Sequence, residues 1–252
     1  MEERYFAMEK NLDFLKENLI AHRGLHNNED IPENSMLAFK KAVEKNFIIE
    51  LDVHLLKDNT IVVMHDNDIN RMTGKSGELK SLTYKELKEL RLLNTEEKIP
   101  TIEQVLNLVD GRVPIIIELK YDTKVGMLEE NLSKILDKYR GKFAVKSFDP
   151  LSVRWFKKNR PEYVRGLLIG DKYKKKYEQI ASKSIFVKIS KPDFISCNYN
   201  LADNKKIQKL RKNKLALAWT IKDKETYDSV KGKFDNYICE NLNFGDGSKN
   251  LS

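Results

Sequence analysis

Imidazoles close two apolar runs in this chain: His22, followed by Arg23 and Gly24, ends IAHRG, and His65 ends IVVMHD. Acids close two others, with Glu50 and Asp52 in FIIELDVH and Glu118 in VPIIIELK, the latter finished by Lys120. Side chains of a strand alternate between faces, so Glu50, Asp52 and His54 share one side while Ile49, Leu51 and Val53 share the other. The same period aligns Ile116, Glu118 and Lys120. If both strands turn these faces into a common interior, three carboxylates converge, and their repulsion raises their pKa values unless a cation neutralises them. An all-oxygen set suits Mg²⁺ or Ca²⁺ rather than zinc. Two imidazoles beside such a centre can exchange protons near neutral pH, one activating an attacking oxygen and the other protonating a departing alcohol. That is what cleavage of a phosphodiester needs, with the metal, Arg23 and Lys120 stabilising charge on the phosphoryl oxygens.

Plainer roles stay open at each position. A lone Glu-x-Asp is accounted for by surface pairing with a nearby Lys or Arg, and a lone histidine by a buried hydrogen bond. Glu50 and Glu118, however, follow β-branched runs of the kind that bury, where an unmatched charge is expensive. His54 lies one step beyond the acids and reads as structural or solvent-exposed, with support of the metal ligands as its alternative. His26, in a polar loop, reads the same way.

The elements that must position these groups alternate in type. Eight strand-like runs are LIAHR (19–23), FIIELDV (47–53), VPIIIELK (113–120), FAVKSF (143–148), VRGLLI (164–169), DFISCN (193–198), LALAWT (215–220) and NYICE (236–240). Helical patterns lie between them, among them SMLAFKKAVEK, TIEQVLNLV, MLEENLSKILDKY, LSVRWFKKN and NKKIQKLRKN, with Asn34 and Thr101 as expected caps. Eight βα units in this length predict a closed (β/α)8 barrel, which keeps its active site at the C-terminal strand ends. Residues 54–98, with a KDNT turn and the run TIVVMHD, break the alternation and read as a small insertion after the second strand.

Composition bounds the rest. The 252 residues, 40% hydrophobic, suffice for one large core and fit a single domain over residues 1–252. An excess of 46 Lys and Arg over 38 Asp and Glu favours anionic partners but is too modest to argue for nucleic acid. Cys197 and Cys239 lie far apart without metal-site or disulfide spacing. The N-terminal residues lack an export signature and no apolar run approaches bilayer length, so the expectation is a cytoplasmic protein. The basic run DKYKKKYEQ (171–179) reads as a solvated face, with weak contact to a phospholipid surface as its alternative. A polar tail, FGDGSKNLS, is expected to fray.

The ordered set HRG (22–24), PENS (32–35), ELDV (50–53), KD (57–58), HD (65–66), IPT (99–101), ELK (118–120), SF (147–148) and AWT (218–220) resembles the glycerophosphodiester phosphodiesterase family. The resemblance implies a TIM barrel with an insertion after its second strand. It also implies metal-dependent hydrolysis of glycerophosphodiesters such as glycerophosphocholine or glycerophosphoethanolamine to glycerol 3-phosphate and an alcohol. By family position Glu50, Asp52 and Glu118 would hold one divalent cation, Ca²⁺ or Mg²⁺. His22 and His65 would be the base and acid pair, and Arg23 and Lys120 would grip the phosphate. Phe148 and Trp219 would wall the glycerol, although both also read as core aromatics. In many members the neighbouring glycerol hydroxyl is thought to attack first, giving a cyclic phosphate that water opens. Alternatives are a lysophospholipase D-like activity on the same barrel and a non-catalytic phosphate-binding barrel. Departures from the family pattern are Leu56 for a common Thr, Asn46 and Asn59 for Gly, and Cys239-Glu240-Asn241 in place of a Thr-Asp near the last strand. Asn tolerates the left-handed turn that Gly would adopt.

Overall fold

The computed structural model describes residues 10–120, 124–171 and 184–240. Nine strands form one sheet: β1 (Ile20–Ala21), β2 (Ile48–Leu55), β3 (Ile61–Val63), β4 (Ile115–Leu119), β5 (Phe143–Ser147), β6 (Val164–Ile169), β7 (Phe194–Asn198), β8 (Leu215–Ile221) and β9 (Asn236–Cys239). All but β3 run parallel, and β1 pairs with both β2 and β9, Ile20 opposing Ile48 on one side and Ile238 on the other. That double pairing closes an eight-stranded parallel barrel, so each of the eight expected strands is found, and the fold is the (β/α)8 barrel.

Helices α1 (Met36–Glu44), α2 (Asn70–Thr73), α3 (Tyr84–Leu87), α4 (Ile102–Val109), α5 (Met127–Leu136), α6 (Pro150–Asn159), α7 (Ser184–Ser190), α8 (Lys205–Arg211) and α9 (Lys224–Val230) occupy the connections. Thr101 caps α4 as expected, its hydroxyl accepting from the Gln104 backbone N–H while Gln104 reaches back to the Thr101 N–H. At α1 the expectation needs correction. Ser35, not Asn34, is the cap, its Oγ accepting from Ala38 N at 3.1 Å. Asn34 stands one residue earlier at φ +56 with its amide turned to Asp52, so the site takes the side chain that capping would have used.

The interior follows the two-residue period. Ile20, Ile48, Ile116, Ala144, Val164, Phe194, Leu217 and Ile238 fill the barrel as one apolar layer. Two residues further along each strand, toward the C-terminal end, stand His22, Glu50, Glu118, Lys146, Gly166, Ser196, Trp219 and Glu240. The polar floor of the cavity is thus the next rung above a greasy plug. Gly166 is the exception the plug requires: a Cβ there would lie 2.3 Å from the Phe194 ring. The odd positions Ile49, Leu51, Val53, Ile115, Ile117 and Leu119 face outward into the core beneath α1, α4 and α5.

The segment after β2 folds back as β3, antiparallel to β2 with His54 opposing Val62. The KDNT turn takes Asn59 at φ +64, and Asn46 before β2 sits at φ +58, so both Asn residues adopt the left-handed conformation expected of them. Leu56, Val62, Met64, Ile69, Met72, Leu79, Leu87, Leu92 and Ile99 give this insertion a small core of its own. Among the described residues no helix is long and apolar enough to cross a membrane. The DKYKKKYEQ run beyond Asp171 and the FGDGSKNLS tail lie outside the described residues.

Candidate active site

Glu50 and Asp52 project from β2 and Glu118 from β4, with Asp52 directly opposing Glu118 across the strand pair. All three are buried, at 0%, 1% and 6% exposure, and one oxygen from each lies within 4.8 Å of the others. Buried carboxylates survive only when compensated. Lys120 Nζ bridges Asp52 Oδ1 (2.7 Å) and Glu118 Oε1 (2.6 Å). Lys146 Nζ lies 2.9 Å from Glu50 Oε1 and 3.3 Å from Glu118 Oε2. Arg23 Nε lies 3.4 Å from Asp52 Oδ2, the Asn34 amide donates to the same oxygen at 3.0 Å, and the Arg23 backbone N–H donates to Glu50 Oε2 at 3.1 Å. Burial alone would push Asp52 and Glu118 up, but Lys120 foremost among the neighbouring cations holds both below the usual carboxylate range. Burial works to lower Lys120 and Lys146, and the same acids raise both.

His22 follows β1 directly. Its Nδ1 is 2.6 Å from Glu240 Oε1 at the end of β9, and its Nε2 faces Glu50 Oε2 at 3.9 Å. Lys222 Nζ takes the second Glu240 oxygen at 2.9 Å. Burial would raise Glu240, yet His22 and Lys222 hold it far below the usual range. The chain then turns sharply at Gly24, φ +79, where a Cβ would meet the Ala38 Cβ at 2.9 Å. The HRG glycine therefore lets α1 pack against the strand end that carries the histidine.

His65 follows β3, and its Nδ1 is 2.7 Å from Asp66 Oδ1. Asp66 Oδ2 in turn accepts from Arg71 Nε at 2.5 Å, and the His65 hydrogen bond and Arg71 hold Asp66 low. The two remaining Arg71 nitrogens reach Glu33 at 2.7 and 3.0 Å, and Glu33 also accepts from Arg23 at 2.8 Å. One buried acid thus ties the insertion to the HRG turn. A carboxylate on Nδ1 holds each imidazole with its proton there and leaves Nε2 to give or take one. Both imidazoles bear electrostatically on Asp52.

His54 is fully buried and structural rather than exposed, its Nε2 3.2 Å from the His65 carbonyl oxygen, where it fixes the strand end that presents His65. Phe148 and Trp219 are half-buried and packed edge to face, centroids 5.7 Å apart, with the indole N–H donating to Ser196 O at 2.9 Å. Sequence reasoning passed over Lys146, Glu33, Arg71 and the function of Glu240. Lys146 had a signal: it sits at the inward position of FAVKSF, two residues after Ala144, where a lone cation demands acids nearby.

The donor set suits a hard divalent ion. Three convergent carboxylates offer oxygen alone, and Glu50 Oε1 is buried beside Lys146 without a hydrogen bond of proper geometry, leaving lone-pair capacity for a ligand. Such an ion would have to compete with the two ammonium groups already among the acids.

Comparisons with known proteins bear on the family and the fold. The sequence profile of the glycerophosphoryl diester phosphodiesterase family matches residues 22–236. YhdW of Bacillus subtilis (strain 168) is 31% identical over 219 residues, 82% of this chain and 87% of that protein. The glycerophosphodiester phosphodiesterase of Caldanaerobacter subterraneus subsp. tengcongensis is 34% identical over 166 residues, 61% of this chain and 67% of that one. An Oleispira antarctica phosphodiesterase, solved with the product sn-glycerol-3-phosphate, shares the fold with a TM-score of 0.77 at 20% identity, covering 89% of this chain and 93% of the other. A barrel with this strand order, carrying acids and imidazoles at these strand ends and matched over most of its length, belongs to the glycerophosphoryl diester phosphodiesterase family of hydrolases.

Proposed function

We propose that the chain, as one barrel domain over residues 1–252 with the 54–98 segment as its insertion, hydrolyses glycerophosphodiesters such as glycerophosphocholine or glycerophosphoethanolamine to glycerol 3-phosphate and the free alcohol. Glu50, Asp52 and Glu118 hold one divalent cation, Mg²⁺ or Ca²⁺, which when bound polarises the phosphoryl oxygens. His22 and His65 are the proton-transfer pair, each steadied by a carboxylate on Nδ1, Glu240 and Asp66 respectively. Arg23 and Lys120 bind the phosphate. Both are anchored by buried acids, Arg23 by Glu33 and Asp52 and Lys120 by Asp52 and Glu118, which holds the two cations at the mouth of the carboxylate trio. Phe148 and Trp219 form the apolar wall against the glycerol.

The observation that carries this reading is the carboxylate trio with oxygens within 4.8 Å, bearing on the same strand ends as an imidazole 3.9 Å from one of its members. The test is glycerol 3-phosphate release from glycerophosphocholine, with and without chelator, for the parent and for His22→Ala, His65→Ala and Glu118→Ala. Activity that collapses in the chelator and in each variant supports the reading. Full activity in either histidine variant removes that residue from proton transfer, and chelator-insensitive turnover removes the metal.

A further inference from the structure

Beside the carboxylate trio lies a second group of ligand-type side chains. One ligand atom each from His22, His26 and Glu240 lies within 4.8 Å of the other two. Their chemistry differs from that of the trio: two imidazole nitrogens and one carboxylate oxygen, a set that selects a zinc-type ion over Mg²⁺ or Ca²⁺. The backbone supporting His22 and Glu240 is fixed, since β1 and β9 are paired with Ala21 opposite Cys239, immediately before the two residues.

His26 supplies the independent observation. Both of its ring nitrogens are closed off from solvent and, among the described residues, neither has a hydrogen-bond partner. Buried polar atoms are normally paired, and each one left unmatched costs about 1–3 kcal/mol. A cation that takes a ring lone pair satisfies one of these atoms directly, and nothing in the phosphodiesterase reading gives His26 any other task.

We propose that His22, His26 and Glu240 form a second metal site, for Zn²⁺ or a similar transition-metal ion, whose filling turns the enzyme off. The ion replaces the hydrogen bond between His22 Nδ1 and Glu240 Oε1, 2.6 Å long, the two atoms parting to roughly 3.3 Å as tetrahedral coordination requires, and takes His26 as its third protein ligand, with a fourth position open to water. Lys222 keeps its contact with the other Glu240 oxygen. Coordination through Nδ1 requires the single proton of the neutral His22 ring to move to Nε2, the atom that faces Glu50. No proton is gained or lost by the ring, but Nε2 no longer carries a lone pair. An imidazole so tautomerised cannot accept a proton from an attacking oxygen. The switch rests on the proposed role of His22, whereas the site itself does not.

The experiment uses Co²⁺ as an optical probe on the full chain held in excess Mg²⁺, which occupies the carboxylate trio. Four-coordinate Co²⁺ with nitrogen ligands absorbs strongly in the visible, and six-coordinate Co²⁺ in an all-oxygen set absorbs weakly. The expected result is one equivalent of strongly absorbing Co²⁺, displaced by Zn²⁺, and lost in both His26→Ala and the size-matched His26→Gln. Loss of a direct ligand weakens binding at least as much as loss of a supporting partner does, about 10–100-fold. In parallel, Zn²⁺ should suppress glycerol 3-phosphate release by the parent, while the His26 variants keep basal turnover and need at least ~10-fold more Zn²⁺ for the same loss. A parent without the band, or a band unchanged in a folded His26 variant, overturns the site. A His26-dependent band without inhibition keeps the site and overturns the switch, together with the base role of His22.

Discussion

Lys146→Met tests the electrostatic design of the centre, because it removes a buried charge while nearly preserving volume. At an effective dielectric of about 20, contacts of 2.9 and 3.3 Å to Glu50 and Glu118 are worth about 6 and about 5 kcal/mol before desolvation. Taking an ammonium out of water offsets much of that, and breaking one side of a buried pair costs about 3–5 kcal/mol net, because the abandoned carboxylates stay buried. At roughly 2–4 °C per kcal/mol for a chain of this size, the melting temperature in chelator should fall by roughly 6–20 °C. Divalent cation should reverse most of the loss, since the vacated position strengthens its binding, and a ligand at 100 times its Kd adds about 2.7 kcal/mol to the folded state. The assay is calorimetric melting of parent and variant in chelator and in excess Mg²⁺. The reasoning is refuted if the variant melts in chelator within about 2 °C of the parent, or if Mg²⁺ raises both melting temperatures equally.

Glu240→Gln should lower kcat about 10–100-fold with little change in KM, because an amide holds the His22 ring less firmly in its productive tautomer; unchanged kcat would deny Glu240 that role. Glu33 is held down at about 2 against an ordinary 4.5, burial opposing and Arg71 and Arg23 prevailing. A depressed acid stabilises the fold above its unfolded pKa and loses that contribution as pH falls through its folded one, so up to about 3 kcal/mol disappears between pH 4.5 and about 2. Melting temperatures of parent and Glu33→Gln should therefore differ most near neutral pH and converge toward pH 2, and a constant gap would contradict the assignment. If reaction passes through a cyclic phosphate, a glycerophosphocholine analogue lacking the hydroxyl next to the phosphate should turn over poorly; equal kcat/KM for the two compounds would dispose of that route.

The repeating units were legible because alternation of apolar runs with helical periods is a local property, and burial on a parallel barrel demands such runs. The inward rung was legible for the same reason: a two-residue period places Glu50 above Ile48 and Glu118 above Ile116 in any sheet that buries those isoleucines. What the period cannot supply is which strand stands beside which, and closure of β1 on β9 is what carries Glu240 to His22 across 218 positions of sequence. The Cys239-Glu240 departure thus reads as an anomaly in one dimension and as a support for the imidazole in three. Capping is a local rule that Asn34 satisfies as well as Ser35 does, and only the packing of α1 against β2 brings the Asn34 amide to Asp52. Arg71 is different from Lys146: it stands on a short helix of the insertion, where a basic residue in a basic chain carries no signal until its partners are known. Charge pairing is a matter of distance through space, and sequence fixes the charges without the distances.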